Sequence, residues 1–293
     1  MAEYPYKRLN AFSSGVSSGN PAACLFLNRL SDLSAVQMQR IAAEHKGVVS
    51  EVVFCAPSGA GGYDLSYFSS ECEVDFCGHG TIACMYSLVK NTPELSTVKE
   101  IPIFTTRKGP LTVLNELVAS DAVFISAPPP QYPGTTITAT AIAGALLLPL
   151  NAISNRLPID CIDAGLKTLI VPLTNLSDEI ACLPNEQNLL MFCLSQNVDI
   201  ILIFTLETED PGNIAHTRVF APKYGYLEDP ATGSGNSAFG YYLLKNNLWN
   251  GDRVSVEQGP LHGPYNIIKL EKRDELVMFG GRAEITYEGR YRA

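Results

Sequence analysis

Apolar residues recur in short runs of four to seven positions: Glu51–Cys55, Val98–Phe104, Leu111–Leu114, Val123–Ser126, Thr168–Leu173, Asp199–Phe204 and Val254–Glu257. Their β-branched and aromatic content suits a pleated, half-buried surface, so each reads as a strand. Leu30 to Lys46 has a longer period, with Val36, Ile41, Ala42 and His45 spaced along one side. That spacing predicts an amphipathic helix capped by Ser31 or Asp32. Two further helices open at glycine turns, where Thr81 and Asn236 stand at the start. Ile82, Met85, Tyr86 and Val89 follow at helical spacing in one, and Phe239, Tyr242 and Leu243 in the other. Strands outnumber helices and do not alternate regularly with them. The pattern predicts an α+β chain of mixed sheets wrapped around helices, not a doubly wound parallel sheet.

The two glycine turns belong to an internal repeat. Glu73-Val-Asp-Phe-Cys-Gly-His-Gly-Thr-Ile-Ala-Cys-Met-Tyr-Ser-Leu-Val-Lys-Asn91 aligns without gaps on Glu228-Asp-Pro-Ala-Thr-Gly-Ser-Gly-Asn-Ser-Ala-Phe-Gly-Tyr-Tyr-Leu-Leu-Lys-Asn246. Eight of the nineteen positions are identical. Each copy follows a strand-like run ending in an aromatic, Tyr67-Phe68 in one and Val219-Phe220 in the other. Two copies are too few for a solenoid, so a duplicated domain is expected. Between them Ala127-Pro-Pro-Pro-Gln-Tyr-Pro-Gly134 favours a stiff, extended connector and marks a boundary after residue 126.

Composition narrows the class. The 293 residues suffice for two domains, and 46% hydrophobic with 17% charged residues is an ordinary globular balance. The net charge of −9, without a basic cluster, repels a nucleic-acid backbone. An anionic substrate can be held only by local groups. Met1 to Phe12 has no apolar stretch, so no signal peptide is expected. The longest uncharged run, Ala122–Asn155, has an apolar core, Ile137–Leu150, too short to span a bilayer. A soluble, cytoplasmic protein without a membrane partner is the expectation.

The eight cysteines form no CxxC pair, and histidines 45, 79, 216 and 262 form no HxxxH pair, so reduced thiols and no metal are expected. There is no GxxxxGK[ST] loop, and Gly233-Ser-Gly235 lacks the rest of a dinucleotide fingerprint, so no nucleotide or other cofactor is expected.

What remains as candidate chemistry sits at the two turns and one strand start. Helix N-termini at Gly78–Gly80 and Gly233–Gly235 offer N–H groups and partial positive charge to an anion. Glu51, flanked by Val52, Val53 and Phe54, has the setting for a raised pKa and general acid–base work. On local pattern alone, other readings stand beside these. Glu51 also reads as a solvated strand start, His79 and Ser234 as helix caps, and Asp229 before Pro230 as a turn opener.

Five segments, in order, then add a resemblance: Ser18-Gly-Asn-Pro-Ala-Ala23, Ser50-Glu-Val-Val-Phe54, Glu73-Val-Asp-Phe-Cys-Gly-His79, Glu228-Asp-Pro-Ala-Thr-Gly-Ser234 and Val256-Glu-Gln-Gly259. With Gly280-Gly-Arg282 they resemble the PhzF-like family, named after the isomerase of phenazine biosynthesis and sharing its fold with diaminopimelate epimerase. The resemblance implies two pseudo-symmetric halves, each a mixed β-barrel-like sheet around a central helix. It places them at 1–126 and 127–275, with 276–293 pairing back into the first and the active site in the cleft between.

It also implies a cofactor-independent isomerase that moves a proton within a small carboxylate-bearing substrate, and a homodimer. Glu51 takes the role of acid/base. His79, Asp229 and Ser234 take substrate binding, and beside the resemblance the helix N-termini at glycines 78, 80, 233 and 235 are read as binding the substrate carboxylate. Diaminopimelate epimerase-like enzymes use two thiols, one per half. Cys77 occupies the first place and Thr232 the second, and an alcohol is a poor base, so Cys77 reads as a relic or a secondary base. The alternatives are an amino-acid epimerase or racemase using Cys77, and a non-catalytic binder of a small ligand or protein. The substrate is not legible.

Overall fold

Burial alternates along the first strand, with Tyr4 and Tyr6 buried beside exposed Glu3 and Pro5, whereas Ile200–Thr205 and Ala215–Phe220 are buried throughout. The computed structural model describes residues 2–107, 109–259 and 264–293; His262 lies outside these. Two units divide the chain: Met1–Ser126 with Gly280–Ala293, and Ala127–Phe279.

The first unit holds strands β1 (Glu3–Ala11), β2 (Asn20–Phe26), β3 (Glu51–Pro57), β4 (Tyr63–Ser69), β5 (Glu73–Val74), β6 (Glu100–Thr105), β7 (Gly109–Glu116) and β8 (Ala122–Ser126). Its helices are α1 (Ala35–Glu44), α2 (Gly78–Asn91) and α3 (Leu117–Ser120). The second unit holds β9 (Asp160–Asp163), β10 (Lys167–Pro172), β11 (Ile200–Thr205), β12 (Ala215–Phe220), β13 (Glu228–Asp229), β14 (Val254–Gln258) and β15 (Asn266–Arg273). Its helices are α4 (Ala139–Leu146), α5 (Leu176–Ala181), α6 (Glu186–Gln196) and α7 (Gly233–Lys245). The chain continues through β16 (Leu276–Gly281) to β17 (Ala283–Arg292), which pairs antiparallel with β1.

The two units repeat one connectivity. In the first, β1/β2 is antiparallel, β2/β3 parallel, β3/β4 antiparallel, β4/β6 parallel and β6/β7 antiparallel. In the second, β9/β10, β10/β11, β11/β12, β12/β14 and β14/β15 follow the same order of senses. The short strands β5 and β13 fold back equivalently, pairing Glu73 with Phe68 and Glu228 with Phe220. These two glutamates, the first shared residues of the repeat, each hold an arginine. Glu73 takes Arg107 at 2.9 Å and Glu228 takes Arg218 at 2.8 Å.

Each repeat helix is buried around most of its circumference, as a helix enclosed by sheet must be. Along α2, Gly80 to Ser87 and Val89 are buried, and the helix contacts β1, β2, β3, β8 and β17. Along α7, Gly235 to Leu243 are buried, and the helix contacts β9, β10, β11 and β15. Outside these barrels, α1 closes a cluster of Tyr6, Leu25, Met38, Ile41, Val52, Phe54 and Phe68. In the second unit, Ile142, Leu189, Val171, Ile201, Ile203 and Phe220 form the corresponding cluster with α4 and α6. Among the described residues no helix is long and apolar enough to cross a membrane.

Several local expectations shift. The helix expected over Leu30–Lys46 is a 3-10 turn at Leu30–Asp32 followed by α1, whose cap is Ser34. Ser34 and Gln37 form a reciprocal capping box, which outcompetes a lone Ser31 or Asp32 by satisfying two orphan N–H groups. Thr81 and Asn236 do not start their helices; Cys77 and Thr232 are the caps. Thr81 Oγ1 and Asn236 Nδ2 instead donate back to the carbonyls of Cys77 and Thr232, at 2.7 and 2.9 Å. The α4 and α6 helices lie in stretches where the pattern of apolar residues predicted nothing.

Candidate active site

Strand period places the first group. In β3, Val52 and Phe54 face the α1 cluster, so Glu51, Val53 and Cys55 face α2. Glu51 therefore stands beside the first turn of α2. Cys77 caps that turn, and its Sγ accepts from the Gly80 N–H at 3.3 Å. Gly80 permits the approach: a Cβ there would lie 2.8 Å from Val53 Cγ2 and 2.9 Å from Cys77 Sγ. Underneath, Tyr67 and Thr81 share a buried hydroxyl bond of 2.7 Å that ties β4 to the helix.

The result is a compact trio. His79 Nε2 lies 3.3 Å from Glu51 Oε2. Cys77 Sγ lies 3.8 Å from the same carboxylate oxygen, 3.5 Å from His79 Nδ1 and 3.8 Å from His79 Nε2. The His79 side chain is 12% exposed and that of Glu51 18%, so both are reachable by a small molecule yet largely shielded. Burial pushes the Glu51 carboxyl above its ordinary value of 4.5, while hydrogen bonds from Ser50 and Cys77 pull it back. Chemically, the trio offers a carboxyl poised for proton transfer, an imidazole against it and a thiol in contact with both.

In the second unit, the matching turn is organised by Gln258, a buried residue to which the sequence pattern assigned no role. Its Oε1 accepts from Thr232 N–H at 3.0 Å and Asn236 Nδ2 at 2.8 Å. Its Nε2 donates to the Asp229 carbonyl at 2.7 Å and Thr232 Oγ1 at 3.3 Å. One amide thus holds both sides of the 229–232 turn and the first turn of α7. Asp229 is buried and Ser234 half-buried in the first turn of α7. Gly233 again allows contact, since a Cβ would lie 2.5 Å from the Phe279 ring. Its place in the family-like segment Val256-Glu-Gln-Gly259 was the signal that could have singled out Gln258.

The family description "Phenazine biosynthesis-like protein" (PhzC-PhzF) matches residues 9–289. The chain belongs to that family. It is 28% identical over 291 residues to the uncharacterized isomerase YfhB of Bacillus subtilis, covering 99% of this chain and 96% of that one. It is 28% identical over 256 residues to the trans-2,3-dihydro-3-hydroxyanthranilate isomerase of Pseudomonas chlororaphis, covering 87% and 85%. Its structure is similar to that of the Bacillus anthracis PhzF-family phenazine biosynthesis protein, with TM-score 0.84, 26% identity and full coverage of both chains. The protein is thus a PhzF-family isomerase with the diaminopimelate epimerase-like α+β fold.

Proposed function

We propose that this PhzF-family isomerase shifts a proton within a small carboxylate-bearing substrate, with Glu51 as the acid/base. One observation supports this above others: a largely shielded carboxyl with a raised pKa touches both His79 and Cys77 at the start of α2. Removing a proton from carbon requires a base near its working pH and donors for the charge that develops. Burial, which raises the Glu51 carboxyl above 4.5, moves it towards the first. His79 and the first-turn N–H groups beginning at Gly78 supply the second in this reading. Asp229, Ser234 and the turn bearing Gly233 and Gly235 are assigned to holding the substrate. Every group in this scheme belongs to the protein, so no cofactor enters it. The working assembly is taken to be a cytoplasmic homodimer.

The contact between Cys77 and Glu51 favours a second reading, in which thiol and carboxylate form an asymmetric acid/base pair and the reaction is an epimerisation. The two separate in one experiment. Trans-2,3-dihydro-3-hydroxyanthranilate, named for the Pseudomonas relative, heads a panel of small carboxylic acids incubated with enzyme in heavy water. Mass spectrometry then reads deuterium gained at carbon. Glu51→Gln should lose on the order of 100-fold or more of the exchange, because it keeps shape but removes the base. Cys77→Ala should keep most of it. A dead Cys77 variant beside an active Glu51 variant would transfer the role to the thiol. Exchange unaffected by either change would reject both assignments.

A further inference from the structure

The trio of Glu51, Cys77 and His79 has a property that proton transfer does not require. Its three donor atoms lie within 4.8 Å of one another, and among the described residues it is the one group of His, Cys, Asp or Glu that does so. The edges of the triangle are 3.3 Å from Nε2 to Oε2, 3.8 Å from Sγ to Oε2 and 3.8 Å from Sγ to Nε2. Tetrahedral zinc, bonded at about 2.3 Å to sulfur and about 2.0–2.2 Å to nitrogen and oxygen, spaces its ligands roughly 3.3–3.7 Å apart. A point about 2.1–2.3 Å from all three atoms therefore exists; because Cys77 Sγ stands 3.5 Å from Nδ1 and 3.8 Å from Nε2, beside the ring, the His79 side chain must turn for its Nε2 lone pair to face that point.

Donor chemistry points the same way. One thiolate, one imidazole and one carboxylate suit zinc(II), whereas magnesium and calcium need oxygen shells. Three protein ligands leave the fourth position for water. The surroundings already hold the donors in place: the Gly80 N–H points at Cys77 Sγ, and Ser50 hydrogen-bonds the Glu51 carboxylate. Such outer contacts fix and tune ligands in metal sites.

We propose that Glu51, Cys77 and His79 form a tridentate zinc(II) site, and that zinc bound there silences the isomerase. Binding replaces the thiol proton: the Cys77 S–H bond breaks, the proton leaves to solvent, and an S–Zn bond forms. Thiolate and carboxylate together neutralise the dication. Glu51 then spends its electron pair on the metal and cannot accept a proton from carbon. The silencing, though not the binding, rests on the role proposed above for Glu51.

Binding is tested without any substrate. The full chain is prepared with Cys72→Ala, because Cys72 is the exposed cysteine and the other six besides Cys77 are buried. Cobalt(II) serves as the spectroscopic stand-in for zinc. The result expected is one ion per chain, a thiolate-to-cobalt charge-transfer band, tetrahedral visible bands and displacement by zinc. Cys77→Ala should abolish the charge-transfer band, and Cys77→Ala and His79→Ala should each weaken zinc binding by on the order of 100-fold. Thermal melting guards against misfolded variants: zinc should raise the parent Tm and leave that of a folded Cys77→Ala protein unchanged. No band at excess cobalt, or a band that survives Cys77→Ala, overturns the site. Deuterium exchange with and without zinc then tests the silencing; full exchange at saturating zinc overturns it. If Glu51→Gln abolishes exchange while zinc fails to bind, the zinc inference falls alone. If zinc binds while Glu51→Gln exchanges normally, the silencing falls with the proposed role of Glu51 and the site stands.

Discussion

His79 Nε2 stands 3.3 Å from Glu51 Oε2, a contact made between the first turn of a helix and the first residue of a strand. Its position decides what pH should do to the enzyme. Burial raises the Glu51 carboxyl above 4.5, and the hydrogen bond from Ser50 lowers it. A base must be ionised, so exchange should fall with acid through this raised pKa, not through the usual carboxylate range. Ser50→Ala removes a stabilising contact of the ionised form, so the acid limb of kcat/KM should move to higher pH. An acid limb that stays put in that variant would count against Glu51 as the base.

The close approach at Gly80 gives a stability test with a local readout. Gly80→Ala puts a methyl 2.8 Å from Val53 and 2.9 Å from Cys77. Val53 is branched and buried, so it yields little, and the strand and helix must part. Denaturant unfolding should show a loss of roughly 1–3 kcal/mol, with exchange activity reduced because the trio is displaced. A fully stable and active alanine variant would show that the turn relaxes freely.

Gln258 should matter more than its place on a strand suggests. Gln258→Leu keeps much of the volume but strands the Thr232 N–H and the Asn236 amide without their acceptor. Each donor left buried costs about 1–3 kcal/mol. Urea unfolding should report that loss, and KM should rise more than kcat falls if the turn serves to hold substrate.

A second buried pair predicts an alkaline signature. His216 Nδ1 lies 3.2 Å from Glu179 Oε2 with both side chains fully buried. Burial, with Arg218 adding to it, drives His216 down to about 3, and burial drives Glu179 well above 4.5. Burial thus favours the neutral form of each in the folded state. For Glu179, the folded form retains a proton that the unfolded form releases above pH 4.5, so stability drains away as pH rises from there. His216 works in the opposite sense: the unfolded form takes up a proton below pH 6.5, so its contribution is lost towards acid. Glu179→Gln removes only the first effect. Relative to the parent, this variant should gain up to about 1.4 kcal/mol per pH unit as pH rises above 4.5, read from urea unfolding in a pH series. A difference that does not change with pH would mean Glu179 is ionised in the fold.

Much of this protein was written in local pattern. The repeat of Glu73–Asn91 in Glu228–Asn246 is enough to infer two helices entered through glycine turns. Strand periodicity located β3, β10, β11 and β14 to within a few residues, because both signals depend on neighbours a turn or a pleat away. The helix caps fall elsewhere than expected. Ser34 wins through a reciprocal bond with Gln37, and Cys77 through a thiol that accepts from the Gly80 N–H, while Thr232 takes the cap position without a side-chain cap bond. Other contacts had no local trace. Gln258 reaches across to the 229–232 turn, and Glu179 meets His216, through pairings between distant strands and helices. Cys77 could be named from its motif, but its contact with Glu51 could not be measured there. Sequence by itself determined the family, the duplication and the kinds of residue at the turns. Only the tertiary structure decided that a carboxylate, an imidazole and a thiol share one shielded corner, because the sheet packed around α2, not chain proximity, brings β3 against the start of that helix.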